Sequence, residues 1–166
     1  CACMGGGESK QIEPPCDPIA YADISGTLLI TGGCGYIGSN TIAELYTRCP
    51  ALNIVNMDNL SSTSSSETNV PSTIRTDTAR YTFVNASIGD AQAVQTVLVK
   101  HEITLCICLA AWLPYEPAPY LEFSLNNVAN SQVFVDTCIP HCRTTANPMG
   151  KLDHFIFQGS GMAQFS

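Results

Sequence analysis

The chain has 166 residues, 45% of them hydrophobic and 13% charged, which fits one globular domain rich in buried parallel strands. A formal net charge of −7 argues against a nucleic-acid or anionic-membrane partner. No apolar run approaches the ~20 residues needed to cross a bilayer, and the start, CACMGGGESK, lacks the charged-then-apolar pattern of a secretory signal. The first residue is Cys rather than Met, so this end reads as processed, trimmed or incomplete.

Residues 1–25 contain Gly5-Gly6-Gly7 and Pro14-Pro15 and read as a flexible lead-in. Leu28, Leu29 and Ile30 then form a short apolar strand that stops at Thr31. Glycines follow at 32, 33, 35 and 38, and Thr41 to Arg48 is amphipathic. Leu52 to Met57 reads as a second buried strand closed by Asp58. Residues 61–80, rich in Ser and Thr, read as a solvated loop with a short helix. Tyr81 to Ala86 is a third strand. Asp90 to His101 is a helix with Asp90 as N-cap and Ala91, Val94, Val97 and Leu98 on one face. Ile103 to Leu109 is a fourth strand. Leu121 to Ile139 is a long helical pattern, with Leu125, Val128, Val133 and Val135 among its apolar positions, and Phe155 to Phe157 form the core of a fifth strand. Strands alternating with helices imply an α/β domain over 26–166, its parallel sheet doubly wound and covered on both faces.

The segment TLLITGGCGYIGSN carries the chemistry. Strand, glycine turn and helix start together suit a dinucleotide pyrophosphate. Missing side chains let the backbone approach, and the helix N-terminus offers N–H donors with partial positive charge. Asp58 lies about twenty residues beyond Gly38, the spacing expected for a carboxylate that accepts hydrogen bonds from a ribose. That charge repels a 2′-phosphate and favours NAD over NADP. The plainer reading of Asp58 is a strand-ending residue that caps the next turn. Backbone amides bind the phosphates, so the acidic net charge is no obstacle.

Of nine cysteines, Cys34, Cys106, Cys108 and Cys138 fall in segments read as buried or turn structure, as small apolar residues. The odd count without a signal points to free thiols in a reducing, cytoplasmic compartment. Cys138, His141 and Cys142, or Cys106 and Cys108, lack a second pair at zinc-site spacing, so no metal is expected.

TGGCGYIGS followed by NMDNL resembles the extended short-chain dehydrogenase/reductases, in particular the NAD-dependent nucleotide-sugar epimerases and dehydratases, over residues 26–166. The resemblance implies a Rossmann-type fold and cofactor contacts from Gly32, Gly35, Tyr36, Ile37 and Gly38 at the turn, and from Asp58 and Asn59 after the second strand. It adds Ser87 and Ile88 after the third strand. Leu109-Ala110-Ala111 resembles the L/F-A-A turn that passes the nicotinamide ribose. LEFSLNNV resembles the helix whose Asn, here Asn127, braces the active-site backbone. FIFQGS resembles the fifth strand ending in the catalytic Ser or Thr, here Ser160.

The implied reaction is hydride transfer from a sugar carbon of a nucleotide-sugar substrate to NAD, with a YxxxK tyrosine as base. Epimerases return the hydride to the other face; dehydratases first eliminate water with an acidic pair after the Ser/Thr. A homodimer through a four-helix interface is also implied, with one helix of that pair beyond residue 166. Four departures stand out. No Tyr has a Lys four residues later, and Gly161 and Met162 occupy the dehydratase acidic pair. Ser87 replaces the adenine-contacting Asp, and Cys108 stands where His is frequent before the LAA turn. Other readings are a non-catalytic NAD-binding sensor or scaffold, a hydroxysteroid-dehydrogenase-like oxidoreductase, and a decayed product.

Overall fold

Burial on both faces shapes the sheet. Leu28 and Ile30 point to one side of the first strand and Leu29 to the other, and all three are buried. The computed structural model describes residues 21–62, 64–112 and 120–158. Five strands, β1 (Gly26–Thr31), β2 (Leu52–Met57), β3 (Tyr81–Val84), β4 (Leu105–Cys108) and β5 (His154–Phe157), pair in parallel in the order β3-β2-β1-β4-β5. The order reverses between β1 and β4, and in such sheets a ligand crevice opens there, beyond the carboxyl ends of the strands. This is the doubly wound, Rossmann-type α/β architecture expected from the sequence.

Each face has its own core. Ile42 of helix α1 (Tyr36–Arg48) and Ile74 of α2 (Ser72–Arg75) pack with Leu28, Ile30 and Ile54. On the opposite face lie Val94, Val97 and Leu98 of α3 (Ala91–Lys100) and Phe134 and Cys138 of α5 (Ser131–Cys138), against Leu29, Val55, Met57, Cys106 and Cys108. Asp90 caps α3, its Oδ1 accepting from Ala93 N at 3.0 Å. Ala91, expected on the apolar face, is exposed in the first turn.

Several boundaries differ from the sequence expectation. Helix α1 starts at Tyr36, not Thr41, because Gly38 already belongs to its first turn. Strand β3 ends at Val84, where β2 leaves the ladder: Asp58 N donates to Val84 O and the chain then turns. Ile103 lies outside β4 because its N–H returns to Leu98 O at the end of α3. The serine-rich loop holds two short helices, a 3₁₀ turn at Glu67–Asn69 and α2. At the edge of the expected lead-in, Tyr21–Asp23 form a 3₁₀ turn with the Arg48 guanidinium over the Tyr21 ring.

The largest difference concerns the last long helix. It runs as α4 (Tyr120–Ser124), a π-helical stretch (Leu125–Asn130), α5 and a 3₁₀ turn (Ile139–His141). The wider turn adds backbone and rotates the register. Ser131, Phe134 and Cys138 therefore face the core, while Leu125 and Val128 are 55% and 66% exposed. Among the described residues no helix is long and apolar enough to cross a membrane.

Phe134 is fully buried and its ring centroid lies 6.0 Å from that of Phe155. Phe134→Ala should lower unfolding free energy by about 3–5 kcal/mol in a denaturant titration. A loss below about 1 kcal/mol would contradict this account of the helix register.

Candidate functional site

The cleft begins with backbone meeting backbone. Gly32 follows β1 with φ at +71°, donates its N–H to Met57 O at 3.0 Å, and has no room for a side chain: a Cβ there would sit 2.8 Å from the Ala110 backbone. Gly38 lets the first turn of α1 close onto the glycine turn, where a Cβ would strike Gly32 O and Gly33 Cα. Gly35 is different. Its φ and ψ, −77° and 175°, suit any residue, and the nearest atom to a built Cβ is Gly32 O at 3.4 Å. Nothing among the described residues requires glycine at 35; Gly35 lines the cleft.

Gly35 also caps α1 without a side-chain hydrogen bond, and the first bond into the helix runs from Ser39 N to Gly35 O. The earlier amides, of Tyr36, Ile37 and Gly38, are the orphan donors of a helix start, where partial positive charge gathers. Tyr36 and Ile37 are exposed at the rim.

Asp58 closes the second wall. Its carboxylate is almost fully buried; Oδ2 accepts from Cys34 N at 2.9 Å and Oδ1 from Leu60 N at 2.8 Å. The second bond holds Leu60 at φ +55°, an uncommon conformation for a branched residue. The turn-capping role is therefore real. It leaves lone pairs unused, since each carboxylate oxygen can accept twice. Asn59 Oδ1 accepts from Ser61 N at 3.1 Å. The serine loop, read from the sequence as merely solvated, is hooked onto the glycine turn: Ser66 N and Asn69 Nδ2 both donate to Cys34 O. Burial pushes the Cys34 thiol up to about 11, the Asn56 amide opposes this, and the charges of Asp58 and Glu67 add to it.

The third wall follows β4. Thr31 Oγ1 donates to Cys108 Sγ and accepts from Ala110 N, fixing the Leu109-Ala110-Ala111 turn against the end of β1. Burial raises the Cys108 thiol above the ordinary thiol range, and the Thr31 hydroxyl opposes this. Asn127, on the π-helical stretch, takes hold of Trp112 twice: Trp112 N donates to Asn127 Oδ1 at 2.7 Å and Asn127 Nδ2 donates to Trp112 O at 2.8 Å. Beyond β3, Ser87 Oγ accepts from Gly89 N, and Ile88 packs into the core beneath.

These walls enclose a cleft of about 650 Å³. Gly32, Gly35, Tyr36, Ile37, Gly38, Asp58, Asn59, Ser87, Ile88, Leu109, Ala110, Ala111 and Asn127 all line it. Ser160, with Gly161 and Met162, lies outside the described residues. Sequence reasoning missed Ser61, Ser64, Ser65, Trp112, Asn126, Ser131, Phe157 and Gln158 in the lining. A signal existed for Ser61 and Trp112, which directly follow the Asp58 and Ala110-Ala111 segments. Among the described lining residues there is no Lys, Arg or His, and Asp58 is the one carboxylate. Among the described residues no group of His, Cys, Asp and Glu is placed to hold a metal ion. His141 Nε2 instead lies 2.9 Å from Gln95 Oε1.

Residues 29–113 match the family described as GDP-mannose 4,6 dehydratase. A UDP-glucose 4-epimerase of Erwinia amylovora is 31% identical over 112 residues, 66% of this chain and 32% of the relative. One from Bacillus subtilis is 38% identical over 84 residues, 50% and 23% of the two chains. The chain thus spans about a third or less of the length of these relatives. Among solved structures, a UDP-glucose-4-epimerase from Stenotrophomonas maltophila, with bound NAD and formylated UDP-arabinopyranose, shares the fold at a TM-score of 0.65 and 22% identity, over 82% of this chain and 38% of that one. A dTDP-glucose 4,6-dehydratase from Bacillus anthracis, in complex with NAD, gives 0.59 and 24%, over 69% and 33%.

Two predictions follow from the geometry. Gly38→Ala should cost about 3 kcal/mol by forcing backbone apart, whereas Gly35→Ala should cost less than about 1 kcal/mol; equal losses in thermal unfolding would contradict the distinction. The second concerns alkaline pH. The buried thiol of Cys34 ionises at 9.0 when unfolded and at about 11 in the fold, and burial moves Tyr81 from 10.0 to about 12. The unfolded chain therefore loses these protons first, and stability present below pH 9 drains away as pH rises toward about 12, the Cys34 share by about 11 and the Tyr81 share above pH 10. The unfolding midpoint should fall over that interval, less steeply in Cys34→Ala; a flat profile would contradict the burial.

Proposed function

The chain belongs to the NAD-dependent epimerase/dehydratase family, and we propose that it is the NAD-binding portion of a nucleotide-sugar 4-epimerase. The observation that carries this reading is Gly35: a glycine that no packing among the described residues requires, beside an uncapped helix start, where a pyrophosphate would find backbone donors and no side chain. Orphan amides at 36–38 would hold the phosphates. Asp58 and Asn59 would receive the adenosine ribose, and the absence of any cation among the described lining residues favours NAD over a 2′-phosphorylated cofactor. Ser87 and Ile88 would flank the adenine. Leu109, Ala110 and Ala111 would pass beneath the nicotinamide ribose, with Asn127 bracing them through Trp112.

When bound, NAD supplies a hydride acceptor and donor for a sugar carbon. The chain's own residues hold and orient it. Phe157 and Gln158 bring the end of β5 to the cleft, which supports a role for Ser160, two residues further on, in hydrogen bonding the sugar hydroxyl. No tyrosine of the sequence is followed by Lys at the fourth position, so the base is assigned to none of these residues. The 4-epimerase relatives, and Gly161 and Met162 where an acidic pair would serve a dehydratase, favour epimerisation. The family match to a 4,6-dehydratase keeps that reaction as the second reading. The outward stripe of Leu121, Leu125 and Val128 supports pairing of two copies.

Calorimetry tests the cofactor assignment. NAD should bind, NADP should bind at least tenfold more weakly, and Gly35→Val should abolish NAD binding in a folded protein. Asp58→Ala should weaken NAD by about 1–3 kcal/mol, with a stability loss from the freed amides of Cys34 and Leu60. Unchanged NAD affinity in folded Gly35→Val would overturn the assignment.

A further inference from the structure

One contact crosses the cleft. Trp112 Nε1 donates to Ser61 Oγ at 3.1 Å, joining the loop after β4 to the loop after β2. The strand order places β1 between these two strands, all parallel, so the bond spans the carboxyl end of β1. Both of its ends are anchored. Asn127 fixes the Trp112 backbone at N–H and C=O, so any movement of the indole runs through its side-chain torsions. Ser61 is set by the Asn59 side chain and by the Asp58 turn before it. Ser61 is exposed and Trp112 half-buried, so water competes for the bond and its net strength is modest.

We propose that Trp112 is the gate of this cleft and Ser61 its latch: a dinucleotide laid against the amides of 36–38 lies beneath the indole, and enters or leaves only when the Trp112–Ser61 bond is broken. The inference rests on the dinucleotide reading above. It has a kinetic signature that an ordinary binding contact lacks. A contact residue sets how long the ligand stays. A gate closed both before and after binding slows entry and exit alike, so loosening it accelerates both.

Trp112 is the only tryptophan in the sequence, and energy transfer from it to NADH reports binding directly. In stopped-flow measurements Ser61→Ala should bind and release NADH each about three- to tenfold faster, with the ratio of the two rates nearly constant, the expected effect of losing one modest hydrogen bond. Trp112→Phe, followed by the fluorescence of NADH itself, should do the same, and Ser61→Thr, which keeps the hydroxyl, should retain the parent rates. Unchanged rates in Ser61→Ala and Trp112→Phe, or faster release alone, would overturn the gate while leaving the cofactor reading intact. Failure of the unaltered chain to bind NADH would overturn that reading, and the gate with it.

Discussion

The cleft depends on a buried carboxylate that ties two strand ends together. Asp58 at the end of β2 accepts from Cys34 N in the glycine turn after β1 and from Leu60 N in its own turn. Without it the glycine turn would lose its lateral anchor and Leu60 its hold on an unfavourable backbone. The turn so fixed presses Gly32 against Ala110 and lets α1 start at Tyr36. Helix start, Asp58 and the Leu109-Ala110-Ala111 turn thus take their positions from one cluster of short contacts. A charged group used this way is stabilising only because donors surround it.

The electrostatics follow the same economy. Anion recognition in an acidic chain usually invites a search for Arg or Lys, yet the arginines among the described residues are committed elsewhere. Arg80 donates to Tyr46 O and Cys49 O at the end of α1 and lies over the Tyr46 ring. Arg75 donates to Val70 O, Arg48 pairs with Glu44, and Arg143 pairs with Asp153. No Lys or Arg is among the described residues lining the cleft, so what it offers an anion is backbone: the uncapped amides of α1, whose partial charge costs nothing in net charge and needs no side-chain ordering. Burial also holds the thiols of Cys34 and Cys108, in the cleft walls, above the ordinary thiol range.

Much of this was readable in the residues. Parallel strands buried on both faces leave nearly continuous apolar runs, so Leu28 to Thr31, Leu52 to Met57 and the Leu105 to Cys108 core were visible without a partner in view. The glycine spacing and Asp58 located the cleft, because close backbone approach leaves a residue-type imprint. Three features left none. The π-helical stretch at Leu125–Asn130 keeps helical composition while shifting the register, so the inward face fell to Ser131, Phe134 and Cys138 rather than Leu125 and Val128. The attachment of the serine loop runs through the Cys34 carbonyl, and backbone acceptors carry no sequence signal. The Trp112–Ser61 bond joins positions 51 apart, beyond any local pattern.

The central claim, that the start of α1 is an anion site reserved for a dinucleotide, is tested most directly by amide chemical shifts of the unaltered chain during a titration with NAD. The account predicts the largest changes at the backbone amides of Gly35, Tyr36, Ile37 and Gly38, with smaller ones at Asp58 and Ala110. Shifts confined to other parts of the molecule, or none at saturating NAD, would contradict it.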